Sequence, residues 1–436
     1  MEKHEIIILG AGLAGLELGR RLGEAGKDFI ILEKEPQIGG ICRTNRTGDY
    51  YWDFGAHVMY SRYEKIKSYY RSLSQDYGLL DRNVRILHTG GDGRRYLLDY
   101  PFEVGIKDMP LTDRLECIIG YLTARARGRK DNSNLEDCIK NLSGDGISKH
   151  FMTPYNNKIW NCSLDGISSK IVSSKIDPLP IADFVLSALG GKIVGRAYQA
   201  TFVYPRHGIQ ELADQTAKDI MGKIILNSSI ESLVKHDDGW VVATEDGKKR
   251  KAGIIVSTMP LVELLKRVDI DGLDKEYDAF KWNNTFFIMV GLKRGCDFGL
   301  VGDCQWAFFK EGEAFYRITM MHNLSRELPH ALVAEITQKG VVLGKSRDEV
   351  KNLVIEDLLR LGIIGSRSHI AESEVKLLEY TYPIPTVGLE ETKEYIRGKL
   401  GHQGIFLLGR NGNWDYINMD KVIKDVEEFF EEKFRL

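Results

Sequence analysis

The chain has 436 residues, 43% hydrophobic and 28% charged, enough for two or three globular modules with a substantial core. Sixty basic and 62 acidic side chains leave a formal charge of −2, so nothing global favours nucleic acid or an anionic membrane as partner. Six scattered cysteines without a CxxC pair read as reduced thiols rather than a disulfide frame or zinc site, and no apolar run reaches the length of a membrane span.

The N-terminus runs straight into a strand with no signal-peptide pattern, so a cytoplasmic protein is expected. "HEIIILGAGLAGLELGRRLGEAGKDFIILEKE" reads as strand, tight turn, helix, strand. Gly10, Gly12 and Gly15 form G-x-G-x-x-G at the turn. The first allows the turn, the second lets backbone approach a pyrophosphate, and the third lets helix and strand pack closely. The helix N-terminus adds unpaired N–H groups and partial positive charge. Glu33 ends the second strand, where a carboxylate can accept both ribose hydroxyls. The motif alone is weak, because glycine-rich turns are common. Here strand, helix, strand and acid agree on a dinucleotide site.

Gly39-Gly40, then Arg43 and Thr44, follow at once. This double glycine resembles the second loop of the two-dinucleotide-binding-domain flavoproteins, and the resemblance implies FAD. Later segments fit that plan. An amphipathic helix carries Ile209, Leu212, Ala213, Ala217 and Ile220 on one face, a strand-rich meander follows, and Ile254–Val256 reads as a buried strand. "GIFLLGRNGNW" looks like the last buried strand of such proteins running into a helix against the flavin, with Gly409 and Gly412 giving backbone access. Taken alone it could be a polar turn before a surface helix.

Further stretches narrow the resemblance. "DFGAHVMYSRY" (53–63), "DYPFEVGI" (99–106), "FMTPYNNKIW" (151–160), "FYRITMMHN" (315–323), "YPIPT" (382–386) and "GRNGNWDYINMD" (409–420) resemble, in order and rough spacing, motifs of the UDP-galactopyranose mutases within the amine-oxidase-like flavoproteins. The resemblance implies a redox-neutral contraction of a pyranose ring to a furanose. In that family, reduced flavin N5 attacks the anomeric carbon of a nucleotide sugar. It also implies a UDP-galactose-like substrate. No cysteine lies near Gly409–Asn418 to bond the ring, so the FAD is expected to be non-covalent, with NAD(P)H or a redox partner as reductant.

By motif, the implied cofactor set is Gly10, Gly12, Leu13, Ala14, Gly15, Glu33, Lys34, Gly39, Gly40, Arg43, His57, Ile230, Gly409, Arg410, Asn418 and Met419. His57 would position the flavin through its backbone rather than act as a base. Arg317 would bind the diphosphate and brace the flavin, making His57 and Arg317 the catalytic pair. Tyr382 and Tyr416 would donate to phosphate oxygens, with Asn418 beside Tyr416. Tyr100, Phe151, Asn156 and Trp160 would line the nucleotide end, and Lys175 falls near an expected arginine. Each has a plainer reading: Arg317 in a buried ion pair, Tyr382 as strand-end packing, Phe151 and Trp160 as core aromatics. The remaining histidines show no ligand spacing, so no metal site is expected.

Glu103, Phe308 and Leu324 depart from the family pattern. A carboxylate 4 Å from a diphosphate charge costs about 1 kcal/mol in water and about 4 at an effective dielectric of 20. Either Glu103 points elsewhere or the substrate is not UDP-galactose. One competing reading is an oxidase or dehydrogenase of the amine-oxidase type, acting on an amine, carotenoid or porphyrinogen. Another is a flavin-free member like the Rab escort proteins, which the intact glycines and Glu33 oppose. The expected architecture is α/β. A Rossmann-like FAD domain takes 1–95, 200–265 and 395–436, a helical cap 107–198, and an antiparallel-sheet substrate domain 266–394.

Overall fold

The computed structural model describes residues 1–73, 78–128, 132–173, 179–191 and 201–435. Two seven-stranded sheets carry the architecture. In the first, Glu2–Leu9 is the central strand, with Ile6, Ile7, Ile8 and Leu9 all fully buried. A strand apolar on both faces has to be covered on both, as in doubly wound α/β proteins. It pairs in parallel with Phe29–Leu32 on one side and Lys249–Ser257 on the other. Phe29–Leu32 continues to Ile224–Ile225. The hairpin Ile230–His236 and Gly239–Thr244 joins the first half of Lys249–Ser257 antiparallel. The second half of that strand takes Ile405–Leu407 in parallel, with Ile255 opposite Ile405.

Helices Leu13–Glu24, Gln210–Ala217 and Met419–Lys433 cover one face of this sheet, and the expected stripe Ile209, Leu212, Ala213, Ala217 and Ile220 is buried there. Leu261–Leu265 and Leu389–His402 cover the other. The Rossmann-like reading of the fold therefore holds, with both faces of the sheet closed.

The second sheet runs Ile370–Ile384, Lys281–Leu292, Ala331–Thr337, Arg317–Met320, Trp306–Phe309, Val84–Thr89, Arg95–Asp99. It differs from expectation in two ways. One pair, Trp306–Phe309 with Val84–Thr89, is parallel. The hairpin 84–99, within or at the edge of the segment expected in the cofactor domain, belongs to this sheet instead. The reason is packing: Val84, Ile86 and Leu98 turn into the core beneath the cap helices, while Leu87 joins the core on the opposite face. Alternation says that a strand is buried, not which sheet it joins.

The segment expected to be a cap is helical where described: Leu111–Ala126, Leu135–Ile147, a π-helical turn Ser148–Met152, Thr153–Ile159 and Ile181–Ala188. Residues 192–198 lie outside the described residues. Among the described residues, no helix is long and apolar enough to cross a membrane.

Candidate active site

Gly10 has φ 104°, a conformation that side chains rarely adopt, and it turns the first strand into the first helix. Gly15 serves packing, since a Cβ there would overlap the carbonyl oxygen of Gly10. Gly12 is different. Its φ is −74°, and a Cβ would meet nothing within 4 Å. It caps Leu13–Glu24, a helix with no side-chain cap and no acid in its first turn. The free N–H groups and the helix dipole make an anion site. Glu33 Oε2 accepts from Ala11 N at 2.7 Å and Oε1 from Glu35 N at 2.9 Å. Each oxygen keeps a lone pair for a ribose hydroxyl.

A cavity of about 1160 Å³ opens from this turn and is walled by both sheets. Gly10, Gly12, Leu13, Ala14, Glu33 and Lys34 line it, as do Gly39, Gly40, Arg43, His57 and Ile230. Arg410, Asn418 and Met419 line it from the C-terminal end of the chain, and Tyr100, Arg317, Tyr382 and Tyr416 also face it. The volume exceeds the ordinary range for one drug-sized ligand. Buried polar atoms of its wall without a hydrogen-bond partner include Arg43 Nε, His57 Nδ1, Arg410 Nε and Asn411 Oδ1. Each such atom costs roughly 1–3 kcal/mol unless a ligand satisfies it. The uncapped helix, the open face of Gly12, Glu33 and these atoms fit FAD.

Other expected residues stand elsewhere. Gly15 and Gly409 are not among the residues that line the cavity; a Cβ on Gly409 would meet that of Ala14 at 2.5 Å, so this glycine lets two turns cross. Gly412 likewise packs against the Ser257 carbonyl. Phe151 is buried and stacked on Phe102 and Tyr155 with centroids 5.0 Å from each. Asn156 accepts from Trp160 Nε1 at 3.0 Å, and Trp160 buttresses Tyr382 and Tyr416 edge-on at 6.0 and 5.3 Å. None of the three lines the cavity. Lys175 lies outside the described residues. Glu103 is buried away from the cavity, with Arg125 the nearest charge acting on it, and Leu324 is also core. Phe308 does face the cavity, 5.3 Å from the Tyr100 ring.

Arg317 is held by Glu335, its register partner on the neighbouring strand, through Nε–Oε1 at 2.6 Å and Nη2–Oε2 at 2.7 Å. Glu335 is fully buried and also accepts from the Tyr316 hydroxyl at 3.1 Å. Burial pulls the Arg317 guanidinium down, but Glu335 and neighbouring tyrosines more than offset it, so the charge is permanent. Tyr382 lies 3.5 Å from Arg317 Nη2, and burial raises its phenol so that it stays a donor. The Arg410 guanidinium sits over the rings of Tyr382 and Tyr416 at 5.0 and 4.9 Å. Burial, then Arg410 and Arg317, push His57 down to about 3, leaving it neutral and a weak base.

Sequence reasoning passed over Arg82, Glu335, Asn411 and Cys42. Arg82 stacks on the Tyr100 ring at 4.2 Å in the cavity wall, and nothing in "LLDRNV" marks it. Glu335 left a signal, a lone acid inside the buried run "ALVAEIT". No cysteine lies near 409–418 in sequence, yet Cys42 lines the cavity close enough to feel Arg410. Burial pushes its thiol up to about 12, so it stays unreactive.

The whole chain superposes on a reduced UDP-galactopyranose mutase with a TM-score of 0.89 and 24% identity, covering 99% of this chain and 94% of that one. A putrescine oxidase bound to putrescine matches at TM-score 0.70 and 13% identity, over 99% and 98%. At such identities these likenesses establish the fold alone. Among curated sequences, a protein of Mycobacterium tuberculosis described as a flavin-containing monoamine oxidase is 20% identical over 273 residues, 59% of this chain and 57% of its own length. The UDP-galactopyranose mutase of Mycoplasma pneumoniae is 33% identical over 70 residues, 15% of this chain and 18% of its own. The chain thus spans little more than half, or less, of the curated relatives it matches. The pattern of the flavin-containing amine oxidoreductases runs over residues 13–410. The chain belongs to that family of flavin enzymes, and FAD is its cofactor.

Proposed function

We propose that this flavin enzyme is a nucleotide-sugar mutase that contracts a pyranose to a furanose without net redox change. One observation carries the reading. Two guanidiniums, Arg317 and Arg410, converge with the phenols of Tyr382 and Tyr416 on the cavity wall. Guanidinium and phenolic donors held in place in this way suit a diphosphate. The family resemblance noted in the sequence and the fold likeness to a reduced UDP-galactopyranose mutase point the same way.

FAD bound at the glycine turn supplies, when reduced, an electron-rich ring face for nucleophilic chemistry at the anomeric carbon. The protein's own groups do the rest. Arg317, oriented by Glu335, and Arg410 retain the leaving diphosphate while Tyr382 and Tyr416 donate to its oxygens. Tyr100, with Arg82 stacked on it, and Phe308 offer flat surfaces to the nucleotide. Neutral His57 adds no charge beside the flavin. Glu103 lies outside the cavity, which removes one objection to UDP-galactose as substrate; Phe308 still lacks the hydroxyl of the family pattern. The six free cysteines accord with a reducing, cytoplasmic setting.

The test mixes chemically reduced enzyme, without oxygen, with a panel of nucleotide sugars led by UDP-galactopyranose, and separates products by chromatography. Furanose product that forms only with reduced enzyme supports the proposal. Rapid flavin reduction by amines, with peroxide formed in air and no ring contraction, overturns it in favour of an amine oxidase.

A further inference from the structure

The fold gathers a second cluster of chemistry-bearing side chains away from the flavin cavity. His88 on the strand Val84–Thr89, Asp113 in the first turn of Leu111–Ala126, and His150 in the π-helical turn Ser148–Met152 each offer one ligand atom within 4.8 Å of the other two. His88 and Asp113 are almost fully buried. In the chain these residues show no ligand spacing. What brings them together is the crossing of two cap helices. A Cβ on Gly144 would collide with Gly120 backbone, and one on Gly146 with that of Glu116 and Cys117. The glycines draw the helices close enough to set His150 beside the turn that holds Asp113 and Glu116.

We propose that His88, Asp113, His150 and Glu116 form a structural site for a divalent cation of the zinc class. Zinc bonds of about 2.0–2.1 Å in a tetrahedron set neighbouring ligand atoms roughly 3.3 Å apart. Two such edges already stand: His88 Nε2 is 3.2 Å from Asp113 Oδ2, and His150 Nε2 is 2.9 Å from Glu116 Oε2. The ligand atoms of His88, Asp113 and His150 lie within 4.8 Å of one another, and Glu116 joins the group through His150. The Gly91 N–H donates to Asp113 Oδ2 at 3.1 Å and aims the carboxylate, as outer hydrogen bonds do at metal sites.

The charges around the cluster can rearrange to admit a cation. Lys149 donates to Glu116 at 2.7 Å and has to release it; Lys310, the other nearby cation, is paired with Glu311. Glu116 is half exposed, which gives the cation an entry. Two imidazoles and two carboxylates match a borderline cation and leave it no net charge. The site would staple two cap elements to the outer part of the second sheet.

The test uses flavin-loaded full-length protein stripped with a chelator. Zn²⁺ is titrated by calorimetry, and Co²⁺ is followed by its d–d absorption beyond the flavin bands. One saturable equivalent per chain with a tetrahedral Co²⁺ spectrum is expected. His150→Ala should weaken binding by roughly a hundredfold, and Glu116→Gln by roughly tenfold, with flavin absorption unchanged. The two partly exposed positions are chosen because their variants should fold; the flavin spectrum verifies it. Absence of saturable binding overturns the proposal. So does binding that survives His150→Ala, or that is lost instead in His330→Ala, since His322 and His330 form another stacked pair at 4.4 Å.

Discussion

Replacing Arg317 by alanine perturbs two things that the structure separates. Glu335 is fully buried and would keep only the Tyr316 hydroxyl as a side-chain donor. Removing one partner of a buried ion pair costs about 3–5 kcal/mol, because a bare carboxylate is left in low dielectric. Arg317→Ala is therefore expected to destabilise the protein by about that amount, whatever it does to ligands. The double variant Arg317→Ala, Glu335→Gln removes the stranded charge and should recover most of the loss. It should not recover nucleotide binding: losing a charge-assisted contact to phosphate weakens UDP affinity roughly ten- to a hundredfold, about 1.5–3 kcal/mol. Urea denaturation of the flavin-loaded protein measures the first quantity, and calorimetric titration with UDP the second. A double variant as unstable as the single would refute the ion-pair argument. A double variant that is stable and binds UDP like the wild type would refute the diphosphate role of Arg317.

Gly12→Ala should fold normally yet load FAD poorly, because its Cβ enters the cavity without touching protein, whereas Gly15→Ala should lose stability through overlap with Gly10; flavin content and melting temperature distinguish the two. His57, held at about 3 against 6.5 unfolded, draws stability down as pH falls below about 6.5, since the unfolded chain takes up the proton first. His57→Gln should therefore lose less stability than the wild type between pH 8 and pH 5 in urea titrations. Glu103→Gln should leave nucleotide-sugar affinity within about twofold of the wild type by calorimetry, there being no contact between Glu103 and the cavity. Acid precipitation should release the flavin into the supernatant, because the Cys42 thiol at the cavity wall stays protonated; colour retained in the pellet would contradict this.

The cofactor half of the site was legible because its requirements are local. Gly10 needs a positive φ, Gly12 an open face, and Glu33 ends the strand beside the turn, so all fall within one strand-turn-helix-strand unit. The substrate half depends on pairing across distance. Arg317 meets Glu335 only through strand register, and Arg82 meets Tyr100 from a loop. Trp160 and Asn156 match a motif, yet they act one layer behind the tyrosines that reach the cavity. The cluster at His88 was illegible for a similar reason, since three elements and a glycine crossing create it. The membership of the hairpin 84–99 in the second sheet was illegible, because an apolar strand pattern marks burial and not the partner strand.

The parallel pairing of Ile255 with Ile405 has a consequence for how the molecule comes together. Strand, glycine turn and ribose acid are all present in the first tenth of the chain, yet the opposite wall, Arg410 to Met419, arrives at the other end. During synthesis the edge at 255–257 stays bare while some 150 residues of the second sheet and its flanking helices are made, and long-range parallel pairing is slow to form. The nascent protein thus holds half a cavity with an open seam. Flavin capture becomes a closing event, in which one ligand ties together segments that no short stretch of chain connects. Any ligand that binds only the closed form adds its binding energy to closure. In the flavin-free protein, that seam, between 255–257 and 405–407, is where the structure should open first.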